Sequence, residues 1–392
     1  MTVRAGREFL ALPGPTTIPD EVLGAMHRAP LDIYSEEMVE LTAGLLRDLS
    51  TLFATQGRTY MYIANGHGTW EAVLSNLLSR GDKVLVLESG VFAMAWGQAA
   101  RAMGAEVEVL PGDWSRAVRA EEVEARLRAD RGHTIKAVLL AHVDTASGAM
   151  NDVPAIGKAI RASGHPALYV VDAVASLACM PFEMDKWGID VAMSASQKGL
   201  MTPPGLGFVA VNERAREVHR TAGMRTPYWD WTDREGAEHY RKHAGTAPVH
   251  LMFGLRRAVD MLFEEGLENI FLRHRLLAEA VRRAAAQWCE GGALKFNIRE
   301  PSQRSDTVTT LLMDDPVPLR QYCKEKCGVV LGNGIGALQG KAFRIAHMGH
   351  VNAPMILGTL GVVEMGLKAL RIPHGTGGVE AAIGFLGDSV AP

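Results

Sequence analysis

Leu168-Tyr169-Val170-Val171-Asp172, followed downstream by Ser194-Ala195-Ser196-Gln197-Lys198-Gly199, is the passage whose reading decides the fold. The run 168–171 is hydrophobic at every position instead of alternating, which is the pattern of a strand covered on both faces in a parallel sheet. It ends on a carboxylate, and in open α/β sheets ligands bind beyond the carboxyl ends of the strands. Alone, Asp172 would be an ordinary helix N-cap and Lys198 a solvated surface charge. Together they suit a cofactor held through an imine, with pyridoxal 5′-phosphate as the candidate. Such a cofactor needs a lysine amine for the imine and a carboxylate that keeps its pyridine nitrogen protonated.

Working outward, strand patterns fall at residues 59–63, 83–87, 106–110, 137–141, 167–172 and 191–194. A further strand at 207–211 is expected to run antiparallel after the Pro203-Pro204-Gly205 turn. Helical patterns at 69–78 and 93–103 alternate with them, which predicts an α/β fold with a mostly parallel sheet of about seven strands. Residues 249–286 carry helical periodicity broken near Glu265-Gly266. Beyond it, strands near 307–313 and 342–347 and helices near 318–325 and 352–368 predict a smaller α+β C-terminal domain. The expected division is an N-terminal arm 1–18, a large cofactor-binding domain 19–265 and a small domain 266–392.

The charge of −3 arises from 41 basic and 44 acidic residues spread along the chain, so neither nucleic acid nor an anionic membrane is an expected partner. Cys179, Cys289, Cys323 and Cys327 are too few and too irregularly spaced for a disulfide framework. The apolar patch before Pro13 is too short for a signal-peptide core. A cytoplasmic enzyme of small molecules is expected. No metal site is expected either, since His347 and His350 have no third ligand cluster.

Asn65-Gly66-His67-Gly68-Thr69 lies between a strand and a helix, where backbone N–H groups stabilise a phosphate; its plain alternative is a turn with Thr69 as N-cap. Gln197 adds a donor beside Lys198. Phe92 follows a strand end and offers a face for stacking, or else belongs to the core. Thr145 follows the next strand and offers a hydroxyl to the cofactor ring, or a local turn. Gly332-Asn333-Gly334-Ile335-Gly336 fails the dinucleotide fingerprint in spacing and is not followed by a helical pattern.

In this order the fragments resemble the class V aminotransferases of fold type I, and within them the alanine–glyoxylate and serine–glyoxylate group. The resemblance runs from Pro13-Gly14-Pro15-Thr16 to Gly340-Lys341-Ala342-Phe343-Arg344-Ile345. Its most specific segments are Val171-Asp172-Ala173-Val174-Ala175-Ser176 and Ser196-Gln197-Lys198-Gly199 with Pro203-Pro204-Gly205. It implies pyridoxal 5′-phosphate carried on Lys198, with Asp172 at the ring nitrogen and Val174 and Phe92 on the two ring faces. Gly66, His67 and Gln197 would hold the phosphate and Thr145 the ring hydroxyl. Arg344 and the Gly14 backbone would hold the substrate α-carboxylate, and Tyr34 would bear on side-chain selectivity. It also implies a homodimer in which the partner closes the phosphate site through a Tyr three residues before Thr-Xaa-Pro. Here Thr246-Ala247-Pro248 keeps the Thr, but His243 stands at the Tyr position.

The implied reaction moves an amino group from alanine or serine to glyoxylate or a similar 2-oxo acid. A pyridoxamine–pyruvate specialist shares the run Arg344 to Gly349, yet needs an acidic residue where His67 stands. An aspartate–glyoxylate exchange is disfavoured unless an unassigned cation reaches the pocket, because an unpaired buried carboxylate is costly. A lyase or desulfurase would need a mobile cysteine, whereas Cys323 and Cys327 fall in a helical pattern. A non-catalytic cofactor-binding regulator would need a DNA-binding module, for which no segment is left over.

Overall fold

The structure, a computed structural model, describes residues 2–390; Met1 of the expected arm and residues 391–392 of the expected C-terminal domain lie outside it. A seven-stranded sheet runs in the spatial order Arg58–Ala64, Gly205–Val211, Val191–Ala195, Leu168–Asp172, Ile135–Ala141, Lys83–Leu87, Glu106–Leu110. Gly205–Val211 alone opposes the others, pairing antiparallel with both neighbours. Successive side chains of the central strand enter opposite cores: Tyr169 and Val171 pack in one, Leu168 and Val170 in the other. Each such buried side chain contributes roughly 1.5–3 kcal/mol, so a strand hydrophobic at every position is stable only in this central place.

One helix starts earlier than its sequence suggests. The segment read as beginning near Thr69 is a helix over Gly66–Leu77, because the Asn65 side chain accepts from the backbone N–H groups of His67 (3.1 Å) and Gly68 (3.3 Å). Thr69 does not cap; its hydroxyl donates to the Gly66 carbonyl at 2.7 Å. The glycines at 66 and 68 hid this start, since the pattern reads equally as a turn.

The helices Val249–Glu265 and Leu267–Cys289 meet at Gly266, where φ is +86°. A second, five-stranded sheet follows the order Phe9–Ala11, Val329–Asn333, Ala342–Ala346, Val308–Leu312, Lys295–Phe296. Trp288, Leu319, Phe343 and Leu360 are buried in its core, beneath Leu267–Cys289, Ala353–Ala369 and Gly378–Ser389. The strand Phe9–Ala11 edges this sheet, parallel to Val329–Leu331, a pairing too distant in sequence to leave a local pattern. The chain then crosses to the large sheet, where Thr16 donates from its backbone N–H to the Gln197 carbonyl (3.1 Å) and from its hydroxyl to that of Lys198 (3.0 Å). Among the described residues no helix is long and apolar enough to cross a membrane.

Candidate active site

The carboxyl edge of the large sheet and the strand Val329–Asn333 of the smaller one enclose a cavity of about 580 Å³. Ten of the thirteen residues singled out from sequence line it: Gly14, Gly66, His67, Phe92, Thr145, Asp172, Val174, Gln197, Lys198 and Arg344. They converge because each follows a strand end at the same edge or, for Gly14 and Arg344, comes from the opposing wall.

Lys198 is 9% exposed, and its Nζ donates to the Pro13 carbonyl. Burial, and next the Arg344 cation, lower its pKa to about 8, with Asp172 pulling the other way. Gly14 lets the N-terminal segment come this close: its φ is +103°, and a Cβ there would sit 2.5 Å from Lys198 Nζ.

Asp172 is fixed at both oxygens. Trp70 Nε1 donates to Oδ2 at 2.7 Å and the Val174 N–H to Oδ1 at 2.8 Å, while burial raises the carboxyl pKa. Trp70 was not anticipated. It stands one turn after Gly66, so reading that helix from Thr69 hid the face it shares with the cavity. His67 tilts over its indole with ring centroids 4.5 Å apart.

Asp144 ties two neighbouring strand ends together. Its carboxylate accepts from the N–H groups of Phe92 (2.8 Å), Ala93 (3.0 Å) and Ala146 (3.0 Å), and burial pushes its pKa up to about 6. Phe92 and Thr145 are thereby held in fixed relation. Among the described residues, neither the Thr145 hydroxyl nor the Gln197 carboxamide makes a hydrogen bond, and Gln197 Oε1 is buried. Val174 packs against Gly66, where an added Cβ would lie 3.1 Å from Val174 Cγ2.

Arg344 is 6% exposed and donates from Nε to the Asn333 carbonyl (2.7 Å) and from Nη1 to that of Thr145 (2.8 Å). Burial lowers its pKa to about 10, which leaves it cationic at neutral pH. No carboxylate lies within ion-pair distance of it among the described residues. Gly332, opposite it in register, gives it room: a Cβ there would come 2.8 Å from Pro13 Cδ and 3.1 Å from Arg344 Cβ. A second arginine lining the cavity, Arg320, was not anticipated.

Tyr34, His243 and Thr246 stand outside the cavity. Tyr34 is 62% exposed and Thr246 is exposed, whereas His243 is buried with Nε2 3.3 Å from Thr42 Oγ1 and its pKa lowered by burial to about 4. The segments of Tyr34 and His243 are joined through His239, whose Nδ1 meets the Ile33 carbonyl at 2.6 Å and whose Nε2 meets Thr42 Oγ1 at 2.9 Å. None of the four cysteines lines the cavity. Burial raises the Cys179 thiol to about 11 and Cys323, on the helix Val317–Cys327, to about 12, so both are poor nucleophiles.

Comparison with known proteins agrees with this geometry. The family profile "Aminotransferase class-V" matches residues 13–315, which include Asp172 and Lys198. The chain is 39% identical to the serine–glyoxylate aminotransferase of Methylorubrum extorquens, over 98% of this chain and 97% of that protein. It is 35% identical to the L-aspartate–glyoxylate aminotransferase of Paracoccus denitrificans, over 95% and 94%. The crystal structure of pyridoxamine-pyruvate aminotransferase from Mesorhizobium loti superimposes with a TM-score of 0.90 at 26% identity, covering 100% of both chains. That superposition spans both the large, mostly parallel sheet and the smaller sheet of this chain. From the family match and these near-full-length relatives it follows that the chain belongs to the class-V aminotransferases and is itself an aminotransferase.

Proposed function

We propose that this enzyme uses pyridoxal 5′-phosphate to transfer an amino group from a small amino acid, alanine or serine, to glyoxylate or a similar 2-oxo acid. The observation that carries the reading is the convergence of Lys198, Asp172 and the carboxylate-free Arg344 on one enclosed cavity. The residues present fit the cofactor. Gln197 brings to the cavity a carboxamide with no partner among the described residues, whose NH2 is a donor for phosphate, Phe92 and Val174 line the same cavity, and Asp172 is held by two donors on its wall. When bound, pyridoxal phosphate supplies an electrophilic carbonyl and a ring that draws electrons from the substrate α-carbon.

The chain's own groups do the rest. Lys198 Nζ would hold the cofactor and, as a free amine, would take the proton from the substrate α-carbon; a pKa near 8 suits that task. Asp172, aimed by Trp70 and Val174, would face the ring nitrogen. His67 and Gln197 would hold the phosphate, with Gly66 at the helix start, though Asn65 already occupies two of that helix's free N–H groups. Thr145 offers its free hydroxyl to the ring oxygen. Arg344 and Gly14 orient the substrate carboxylate; the guanidinium fork suits that task better than an ammonium.

The reading includes a homodimer with shared sites, and a division of the chain into an arm, a large domain to residue 265 and a small domain. Tyr34 and Thr246, exposed and away from their own cavity, are the groups offered to the partner's site, while buried His243 props the turn that presents Thr246. A half-reaction screen tests the reading: alanine and serine should bleach the visible absorption of the loaded protein, and glyoxylate should restore it. Turnover of free pyridoxamine with pyruvate, without glyoxylate chemistry, would overturn it.

A further inference from the structure

We propose that Arg320, together with Arg344, gives the cavity a second anion subsite that takes the distal carboxylate of an acidic amino donor or of the corresponding dicarboxylic 2-oxo acid. The inference rests on the donor-exchange reading above and extends it from small neutral side chains to acidic ones.

Arg320 comes from the helix Val317–Cys327, which buries Leu319 and Cys323 in the core of the smaller sheet and turns through Gly328 into the strand Val329–Asn333. That packing brings Arg320 to the cavity wall formed by Val330, Leu331 and Gly332. Its Nε donates to the Leu331 carbonyl at 3.4 Å, and Arg344 Nε donates to the Asn333 carbonyl at 2.7 Å. Carbonyls two residues apart on a strand point the same way, roughly 7 Å from one another. The two guanidinium groups are therefore hung side by side from one strand, facing the same space.

Neither cation has an ion-pair partner among the described residues, although Asp144 acts on Arg344 from beyond contact distance. Among the described residues, Arg320 Nη1 and Nη2 have no hydrogen-bond acceptor, and no carboxylate lies within ion-pair range of Arg320 or Arg344. Other partly buried arginines are paired, Arg116 with Glu122, Arg126 with Glu108, Arg256 with Asp48, Arg273 with Glu265 and Arg282 with Asp306, or, like Arg234 over Tyr62 and Arg304 over Phe296, spend their guanidinium on two or more carbonyls and an aromatic face away from the cavity. After burial, and against the opposing pull of Asp144, Arg320 is near enough to Arg344 to lower its pKa as well. Two like charges facing one partly desolvated space repel each other, and a dianionic ligand removes the repulsion while making both charge-assisted pairs. A monocarboxylate satisfies only one of them.

Binding and turnover test this separately. Titration calorimetry of the loaded enzyme with succinate and with propionate reads the subsite without any reaction. Succinate should bind on the order of 10- to 100-fold tighter than propionate, and Arg320→Gln should erase the difference while leaving propionate within about 3-fold. Kinetics should then show Arg320→Gln lowering kcat/KM for aspartate or glutamate through KM, with alanine little changed, and Arg320→Lys restoring part of the loss. Equal affinities for the two probes in the native enzyme would overturn the subsite, as would an equal loss for both probes in Arg320→Gln. If succinate discrimination holds and no amino acid bleaches the native enzyme, the donor-exchange reading fails while the anion subsite stands.

Discussion

The two walls of the cavity handle charge in opposite ways. On the large-sheet wall each buried ionisable group has hydrogen-bond partners of its own: Asp172 has Trp70 and Val174, Asp144 three backbone N–H groups, and Lys198 the Pro13 carbonyl. On the smaller-sheet wall Arg344 and Arg320 are held only by carbonyls, with no carboxylate in range among the described residues. Hydrogen-bonded groups of the first kind hold their geometry, and cations without an ion-pair partner recruit an anion. The first wall is organised for chemistry on a resident group and the second for a ligand that comes and goes.

The largest effect expected from this contrast is at Lys198. Lys198→Ala should lower the single-turnover rate by on the order of 10³-fold or more, with circular dichroism unchanged. A rate near that of the native protein would break the assignment of chemistry to the large-sheet wall. Arg344→Lys should weaken binding of every donor by about 1–3 kcal/mol whatever its side chain, because the fork and one charge-assisted bond are lost. The donor-concentration dependence of bleaching measures it, and the visible absorption of the resting enzyme should persist. Trp70→Phe removes one donor to Asp172 and leaves the other, which should weaken cofactor retention by roughly 1–2 kcal/mol in equilibrium dialysis. Retention equal to the native protein would mean that Val174 alone orients the carboxylate.

The smallest effect links the walls through pH. Only the neutral amine captures the cofactor, so the capture rate of cofactor-free protein should rise with pH and level off above about 8, the lowered pKa of Lys198. Removing the neighbouring cation in Arg344→Gln favours the ammonium form, so the midpoint should move upward. A midpoint that stays in place would show that the two walls do not sense one another.

The large-sheet wall was legible in sequence and the second wall was so only in part. A strand hydrophobic at every position, as over Leu168–Val171, belongs inside a parallel sheet, and the residues after such strands share one edge by topology alone. Arg344 was found through a resemblance rather than a pattern, since an arginine in a strand has no distinctive spacing. Arg320 was invisible because its helix was foreseen but the face turned to the cavity depends on packing against Leu319 and Cys323. Trp70 was lost to a misplaced helix start. His243 was read as a group offered outward, and its burial against Thr42 follows from folding of the segment between Asp230 and Pro248, which no periodicity announces.

The crossing segment that edges the smaller sheet at Phe9–Ala11 and touches Lys198 at Pro13 also bears on how the protein is made. Its strand partner, Val329–Leu331, and the two arginines of the second wall lie far downstream of the large sheet in the chain. Domains fold largely as they emerge from the ribosome, and contacts that close long loops form late. The large sheet can therefore be complete on a nascent chain while the cavity still lacks its floor and one wall. Until those segments dock, Lys198 lacks both the full burial and the Arg344 cation that lower its pKa, so its amine becomes readily deprotonated only when the cavity is closed.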